Sequence, residues 1–130
     1  MALAFISLDA FAPATGSLAV IQGEAVSLYE DLVRAVVLVE SNGNRYAFNK
    51  DEGAIGAFQV RQCRIDHYNA KTGLKMRLND MYDYDKAKKV FLYFAQGKSY
   101  EVAAKSWNGA GSMTIAYWNK VKKQLNPISL

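Results

Sequence analysis

The sequence predicts a mainly helical α+β domain, and three observations lead to that prediction. Several segments repeat apolar residues at the spacing of an amphipathic helix and are bounded by capping residues. One stretch, 45–62, instead alternates aromatic and polar residues around glycines, as a short hairpin does. The connections are short, and 130 residues with 51% apolar content suffice for one domain with a core. We therefore expect five or six helices and one small β element.

The beginning of the chain shows no regular period, because Pro and Gly interrupt it. We interpret 1–23 as a leader or a segment that packs on the domain, and 24–130 as the domain itself. A signal peptide is a weaker interpretation of the apolar start, which lacks a basic n-region and contains Asp9.

The first clear helix is predicted from about Leu28 to Glu40, with Ser27 as its N-cap, although Glu24 could begin it earlier. Asn42-Gly43-Asn44 should end it, since Asn and Gly adopt the left-handed conformation at low cost. The helix therefore stops at a polar turn directly after a carboxylate.

Glu40 stands at the end of an apolar stripe. At about 100° per residue it shares one helical face with Tyr29, Val33 and Val36. A carboxyl group that meets the core there is partly desolvated, which raises its pKa. An acid still protonated near neutral pH is suited to general-acid catalysis. The alternative is a glutamate on a frayed last turn that reaches water.

Residues 45–62 predict a short, irregular hairpin lobe, with glycines where the backbone approaches another segment or a ligand closely. Asp51 and Glu52 lie in its turn, where charged residues normally face water; a second catalytic carboxylate is the alternative interpretation. Gln59 stands between two apolar residues. It either faces water by simple strand alternation or faces a site.

Four further helices are predicted in the second half of the chain, each with a capping or closing residue. The stretch from Leu74 to Met81 between two of them is expected to be a loop or a short turn. The expected helices are Arg61 to Ala70 before Thr72-Gly73, Asp83 or Asp85 to Gln96 before Gly97, Tyr100 to Trp107 after Ser99, and Met113 to Gln124 with Pro127 preventing extension.

The residue inventory limits the possible chemistry. Cys63 is the only cysteine and His67 the only histidine, which excludes an internal disulfide and a Cys-rich or multi-His metal site. No run reaches the length of a membrane-spanning helix. A net charge of +4 and a pI near 9.2 suit an anionic partner without choosing among nucleic acid, membrane and acidic polymer. Any enzyme chemistry would use carboxylates, hydroxyls, amides or Lys, and we expect no cofactor and no metal.

Several short motifs occur in a defined order along the chain. They are Glu40-Ser41 at a helix end, Gly56-Ala57-Phe58-Gln59-Val60, Tyr82-Asp83 at a helix entry, Ala104-Lys105-Ser106-Trp107-Asn108-Gly109-Ala110-Gly111, and Tyr117 with Val121. In this order and spacing they resemble the lysozyme-like lytic transglycosylases, the soluble-lytic-transglycosylase type of domain of bacteria and phages. The resemblance covers roughly Leu28 to Leu125.

The chain also departs from that family's pattern. Tyr84 and Ala87 stand where the family often has Pro and Asn, and Trp107-Asn108-Gly109-Ala110-Gly111 is closer to some phage and goose-type lysozymes. These departures leave the fold expectation intact. They concern the sugar subsites and the product.

The resemblance implies a lysozyme-like fold whose hairpin lobe flanks a cleft. It implies cleavage of the β-1,4 bond between N-acetylmuramic acid and N-acetylglucosamine in peptidoglycan. Glu40 would act first as general acid and then as base, and attack by the muramic acid C6 hydroxyl would give 1,6-anhydro ends. The N-acetyl group of the substrate would then stabilise the intermediate, so that no second protein carboxylate is needed.

The resemblance also implies a set of substrate-binding residues. The amide side chains would bind substrate amides and hydroxyls, Tyr117 would hold the carboxyl group of Glu40, and Ser41 would support the turn. Tyr46 and Trp107 would stack on sugar faces, with core packing as the alternative. The complete set is Ser41, Tyr46, Gln59, Trp107, Asn108 and Tyr117.

Alternative functions remain open at this stage. A carboxylate partner that activates water would make the protein a hydrolytic lysozyme, and the departures also fit a non-catalytic glycan-binding or virion module with this fold. Charge alone suggests a nucleic-acid binder. We expect a monomer that acts on peptidoglycan strands outside the cytoplasm, in the periplasm, outside the cell or from a virion, with no nucleic-acid partner and no membrane span.

Overall fold

The computed structural model describes residues 15–129, and their side chains from Leu28 to Leu125. The described part of the chain is mainly helical with one small antiparallel sheet, which confirms the predicted mainly α, α+β class. In chain order the elements are α1 (Thr15–Ser41), β1 (Phe48–Asn49), β2 (Ala54–Ile55), α2 (Gln62–Thr72), a 3-10 helix (Leu78–Tyr82), α3 (Tyr84–Ala95), α4 (Tyr100–Asn108) and α5 (Met113–Ser129).

The first helix begins at Thr15, well before the predicted start at Leu28 or Glu24. The prediction was wrong because it interpreted the glycines before Leu28 as breaks, whereas a Gly inside a helix costs only about 1 kcal/mol relative to Ala. Residues 1–14, part of the predicted leader, lie outside the described residues. The division into 1–23 and 24–130 therefore stays a prediction.

α1 is the central helix of the described core. Leu32, Ala35 and Val36 have no exposed surface, and α1 packs against α3, α4 and α5. Tyr29 and Val33 are also buried, so the predicted apolar face is confirmed. This face directs the last turn of α1 toward the interior.

The hairpin lobe is as short and irregular as predicted. Phe48 pairs with Ile55 and Asn49 with Ala54, in antiparallel register. The Asn49 side-chain oxygen accepts backbone N–H groups within the connecting turn, as turn-forming Asn residues commonly do. A second tight turn returns the chain from Ile55 to Val60, where the two backbones exchange hydrogen bonds of 3.0 and 2.9 Å.

Gly56 joins the hairpin lobe to the rest of the domain by a close backbone approach. Its φ is +82°, a conformation that favours glycine. A Cβ at this position would overlap the backbone carbonyl oxygen of Met81, in the 3-10 helix. The predicted close approach is therefore confirmed at Gly56, where the partner is another segment of the protein. It was wrong for Gly53, where a Cβ would meet no other atom within 4 Å.

The remaining helix boundaries follow the predicted caps with two differences. Asp83 and Ser99 cap α3 and α4 by accepting backbone N–H groups, and Gly73 closes α2 in the left-handed conformation. Part of the predicted loop forms the 3-10 helix. The prediction that Pro127 stops the last helix was wrong: α5 continues to Ser129, since a proline near a helix end removes only one N–H donor and fits helical φ.

Candidate active site

Glu40 lies on the last turn of α1 and is half-buried. Tyr117, on α5, donates a hydrogen bond of 2.8 Å from its hydroxyl to Glu40 Oε2. The expected contact between these two residues is thus confirmed. It links the end of the central helix to the last helix of the domain.

A left-handed turn ends α1 directly after this residue. Asn42 and Gly43 have φ values of +55° and +83°, and their N–H groups return to the carbonyls of Leu38 and Val37 at 3.1 and 3.4 Å. This is the helix stop that the Asn-Gly sequence predicts. The turn satisfies two helix-end carbonyls with backbone N–H groups and fixes the position at which α1 ends beside Glu40.

The environment of Glu40 changes its acidity. Burial raises the pKa of its carboxyl group from 4.5 to about 7. The hydrogen bond from Tyr117 acts in the opposite direction, because it favours the charged form. The charge of Glu52 raises the pKa further, whereas the charges of Arg61 and Lys120 lower it. Near neutral pH the group therefore exists in both protonation states, as an acid that later acts as a base requires.

Tyr117 donates a hydrogen bond to Glu40 but does not lose its own proton at physiological pH. It is buried, and burial raises the pKa of its hydroxyl well above the ordinary value, with the neighbouring charge of Glu40 adding to the effect. Its proton is therefore retained at physiological pH. Its role toward Glu40 is to position and stabilise the carboxyl group.

Ser41 has a structural role rather than the predicted substrate contact. Its hydroxyl donates to the carbonyl of Ala57 at 2.8 Å and lies 3.2 Å from that of Val37. The first contact ties the end of α1 to the hairpin lobe. The single proton of the hydroxyl is used inside the protein.

Gln59 does not follow strand alternation. It has a left-handed backbone, with φ of +51°, and its side chain is half-buried in the second turn of the hairpin lobe. Its Nε2 donates to the carbonyls of Gly56 at 2.9 Å and Ala47 at 3.4 Å. The interpretation of Gln59 as a strand residue facing water was therefore wrong. Its amide oxygen is the group that remains for a substrate, and that role stays a prediction.

Trp107 belongs to the core. Its side chain is 5% exposed, and its Nε1 donates to the carbonyl of Phe58 at 3.2 Å. The ring meets Phe91 edge-on, at 5.1 Å between centroids. Its predicted stacking on a sugar was therefore wrong, because the indole is enclosed and its N–H is satisfied within the protein, as buried Trp residues require.

Asn108 ends α4, and its side chain carries an unusual feature. Its Oδ1 is buried and has no hydrogen-bond partner among the described residues. Such an acceptor is costly to bury, so a donor from a ligand or a water molecule would be favoured there. The predicted substrate contact of Asn108 remains a prediction that this oxygen favours.

Two arginines from the start of α2 bind the end of α4, and the sequence alone did not identify them. Arg61 donates to the carbonyl of Asn108 at 3.2 Å. Arg64 donates to the carbonyls of Ser106 and Trp107 at 2.9 and 3.0 Å. Cations at a helix C-terminus also complement the helix dipole. These arginines lie more than forty positions from the α4 residues that they bind, so local sequence patterns could not predict the contact.

The hairpin lobe presents its polar turn and one aromatic side chain to solvent. Tyr46 is 74% exposed, and its stacking on a sugar face stays a prediction. Asp51 and Glu52 are exposed, as expected for turn residues. Of the two, Glu52 acts electrostatically on Glu40.

The described residues contain neither a cluster suited to a metal ion nor a helix suited to crossing a membrane. Within residues 28–125, whose side chains are described, His, Cys, Asp and Glu form no group of three that could hold a metal ion. None of the helices described combines the length and apolar character needed to cross a membrane.

Comparison with protein-family models, with curated proteins and with solved structures found no match for this chain. The site is therefore defined by its own geometry. It consists of the half-buried carboxyl group of Glu40 at the end of α1, which has a raised pKa and accepts a hydrogen bond from Tyr117. Charges from the hairpin turn, α5 and the start of α2 also act on this group.

Proposed function

We propose that this chain is a peptidoglycan lytic transglycosylase that uses Glu40 as its general acid and base. The observation that carries the proposal is the half-buried carboxyl group of Glu40, which has a pKa raised to about 7 and is held by Tyr117 at 2.8 Å. A strongly perturbed carboxyl group that is not explained by an ion pair marks a candidate catalytic residue. The ordered motifs around it support the same family.

The first chemical step is protonation of the leaving group. Neutral Glu40 gives its proton to the glycosidic oxygen while the bond from that oxygen to C1 of N-acetylmuramic acid breaks. The departing N-acetylglucosamine leaves with a free 4-hydroxyl. The substrate's N-acetyl group stabilises the positive charge at C1, which is the substrate-assisted variant of glycoside cleavage.

The second step returns the proton to Glu40. The carboxylate takes the proton of the muramic acid C6 hydroxyl, whose oxygen forms a bond to C1 and closes the 1,6-anhydro ring. No water is consumed. A pKa near 7 suits a group that must give and then take a proton. Tyr117 stabilises the carboxylate between the two steps through its hydrogen bond.

Two acceptors near the hairpin lobe and α4 support recognition of an amino-sugar polymer. The Gln59 amide oxygen and the buried Asn108 Oδ1 can accept N–H groups from acetamido substituents. The formal charge of +4 favours approach to an anionic cell-wall polymer. The proposed site of action is the wall itself, in the periplasm, outside the cell or from a virion.

Digestion of purified sacculi tests the proposal. Wild-type protein, Glu40→Gln and the control Glu30→Gln, which changes an exposed glutamate of the same helix, are compared by mass analysis of soluble products. We expect 1,6-anhydro ends from wild type and the control, and a rate lowered by roughly 10³-fold in Glu40→Gln, the size of a general-acid contribution. Equal activity of wild type and Glu40→Gln contradicts the proposal. Binding of wild type to sacculi without soluble product indicates a non-catalytic glycan-binding module.

A hydrolytic lysozyme is the second candidate, and the position of Glu52 favours it. The charge of Glu52 acts on Glu40 from the hairpin turn, so its carboxylate could activate a water molecule that attacks C1. Reducing ends, labelled when digestion is performed in heavy-oxygen water, would identify this reaction.

Glu52→Gln separates the two mechanisms, with Asp51→Asn as the matched control in the same turn. A transglycosylase should retain its rate within about threefold and its anhydro product, because Glu52 affects it only through the pKa of Glu40. A hydrolase should lose roughly 100-fold, the loss typical of a general base. Full hydrolytic activity of Glu52→Gln would remove Glu52 from the mechanism.

A further inference from the structure

Arg61 connects two segments of the candidate site. It is the N-cap residue of α2 and follows the hairpin lobe directly, two residues after Gln59. Its half-buried side chain reaches the end of α4, where Nη2 donates to the backbone carbonyl of Asn108 at 3.2 Å. The guanidinium group therefore lies between the segments that carry the two amide side chains of the site.

Among the described residues, the Arg61 guanidinium group forms no ion pair with an acidic side chain. The ion pairs found within 4.0 Å involve Arg34, Arg77, Lys86 and Lys105, and none of the described carboxylates lies that close to the Arg61 guanidinium. A guanidinium group has five N–H donors, of which the Asn108 carbonyl uses one. A half-buried cation with donors to spare is a favourable place for an anion.

Arg64, one helical turn later, differs in this respect. Its guanidinium serves two backbone carbonyls and lies 4.7 Å from the ring centroids of both Phe94 and Trp107. These contacts engage Arg64 in packing of the core. Arg64 is therefore a structural residue, whereas Arg61 retains N–H donors that can bind a ligand.

The guanidinium group of Arg61 lies within electrostatic range of the acid. Its charge lowers the pKa of Glu40, against the effect of burial, which requires the two groups to lie near one another. An anionic group bound by Arg61 would therefore belong to the part of a substrate next to the bond that is cleaved.

We propose that Arg61 is a specificity-determining residue that binds a carboxylate carried by the glycan beside Glu40. The inference rests on the proposed function and names the substrate feature that the site selects. In peptidoglycan, the carboxylate comes either from the lactyl group of a muramic acid without its stem peptide or from the stem peptide itself. Arginine pairs with carboxylates through two parallel hydrogen bonds, and neutral amino-sugar oligomers lack this group.

Binding measurements in an inactive background test the inference without turnover. Glu40→Gln is compared with Glu40→Gln/Arg61→Gln and Glu40→Gln/Arg61→Lys by calorimetry. The probes are glycan strands stripped of peptides, peptide-bearing strands, and neutral N-acetylglucosamine oligomers. The Gln variant keeps an N–H donor for the Asn108 carbonyl but removes the charge, and melting curves verify that each variant is folded.

We expect Arg61→Gln to weaken binding of the carboxylate-bearing strands by about tenfold to a hundredfold, the range of a hydrogen bond to a charged group. Binding of neutral oligomers should change less than about twofold, and Arg61→Lys should retain an intermediate affinity. A larger loss with stripped strands identifies the lactyl carboxylate, and a larger loss with peptide-bearing strands identifies the stem peptide. Equal weakening for charged and neutral probes, or no binding of any probe, overturns the inference.

The pH profile of the active enzyme gives a second readout, which tests whether the charge of Arg61 lies close enough to Glu40 to act beside it. Arg61→Gln should raise the pH at which kcat/KM falls, because the guanidinium no longer lowers the pKa of Glu40. Tyr117, Glu52 and Lys120, the other groups that act on Glu40, are unchanged in this variant. An unchanged profile contradicts the inference. Failure of wild type to digest sacculi would contradict the proposed function alone, since the binding assay does not depend on turnover.

Discussion

The ends of α1 and α4 both donate side-chain hydrogen bonds to neighbouring carbonyls of the hairpin lobe. The backbone carbonyls at the two helix ends, however, are satisfied in different ways. Ser41 at the end of α1 donates to Ala57, and Trp107 at the end of α4 donates to Phe58. The left-handed Asn-Gly turn returns to the α1 carbonyls. The α4 carbonyls instead accept hydrogen bonds from the arginines of α2.

Because of this difference, we expect the end of α1 to affect the acidity of Glu40 and the end of α4 to affect the stability of the fold. At the end of α1 the local turn satisfies the backbone, and the half-buried side chain of Glu40 has a tyrosine as its hydrogen-bonding partner. At the end of α4 the cations serve the backbone, and the aromatic side chain Trp107 is enclosed in the core. We therefore expect changes at the first helix end to alter pH dependence and activity. Changes to Arg64 or Trp107 at the second should alter mainly the free energy of unfolding.

The largest expected effect on stability comes from Glu40 and depends on pH. Its pKa is about 7 in the folded protein against 4.5 ordinarily, so folding favours the protonated form. The stability that this form contributes is fully present below pH 4.5 and is lost as pH rises through about 7. Relative to Glu40→Gln, wild type should lose up to about 3 kcal/mol of unfolding free energy across that range.

Urea unfolding of wild type and Glu40→Gln, at about pH 4 and about pH 8, measures this difference. Glu30→Gln, on an exposed position of α1, serves as the control and should show no comparable change. A stability difference between wild type and Glu40→Gln that does not vary with pH contradicts the raised pKa.

Arg64→Met tests the other helix end. It removes two hydrogen bonds to α4 carbonyls and the contact with two aromatic rings, and should lower the free energy of unfolding by about 2 kcal/mol. Arg34→Met, which removes an exposed ion pair with Asp31, should cost less than about 1 kcal/mol. Equal costs in denaturant unfolding would show that Arg64 does not stabilise the end of α4.

Ser41→Ala tests the link between α1 and the hairpin lobe. The buried carbonyl of Ala57 loses its donor, at an expected cost of about 1 kcal/mol. Ser106→Ala is the matched control, since that hydroxyl donates to a carbonyl of its own helix, and it should cost less. Hydrogen exchange of the hairpin amides provides the local measurement, and an unchanged exchange rate in Ser41→Ala would contradict the link.

Tyr117→Phe should produce the smallest change, confined to the acidity of Glu40. The hydroxyl lowers the pKa of the carboxyl group through its hydrogen bond, so its removal should raise the pH at which kcat/KM declines. Tyr93→Phe, which changes an exposed tyrosine outside the candidate site, is the control for a general effect of losing a hydroxyl. A downward shift in Tyr117→Phe would contradict the assigned direction.

Local signals predicted much of this fold and the main residue of the site. The caps Asp83 and Ser99, the Asn42-Gly43 turn and the apolar face of α1 depend on nearby residues, which the sequence presents directly. Glu40 was identified for the same reason, because helical periodicity places it at the end of that face. The start of α1 was missed, since glycines tolerated inside the helix were interpreted as breaks.

Contacts between distant segments could not be obtained from local patterns. The enclosure of Trp107 depends on Phe58 and Phe91, and the conformation of Gln59 depends on a second turn that composition does not reveal. The pairing of α2 arginines with α4 joins residues more than forty positions apart. Such contacts are set by the assembled core rather than by the residues next to each position.

A titration of the Glu40 carboxyl group tests the central claim most directly. Carbon-13 NMR of protein labelled at glutamate side chains, with the signal assigned by its loss in Glu40→Gln, follows the protonation of this one group. We expect a midpoint at about pH 7, the raised pKa that burial produces. A midpoint near the ordinary value of 4.5 would contradict it and remove Glu40 as an acid at neutral pH.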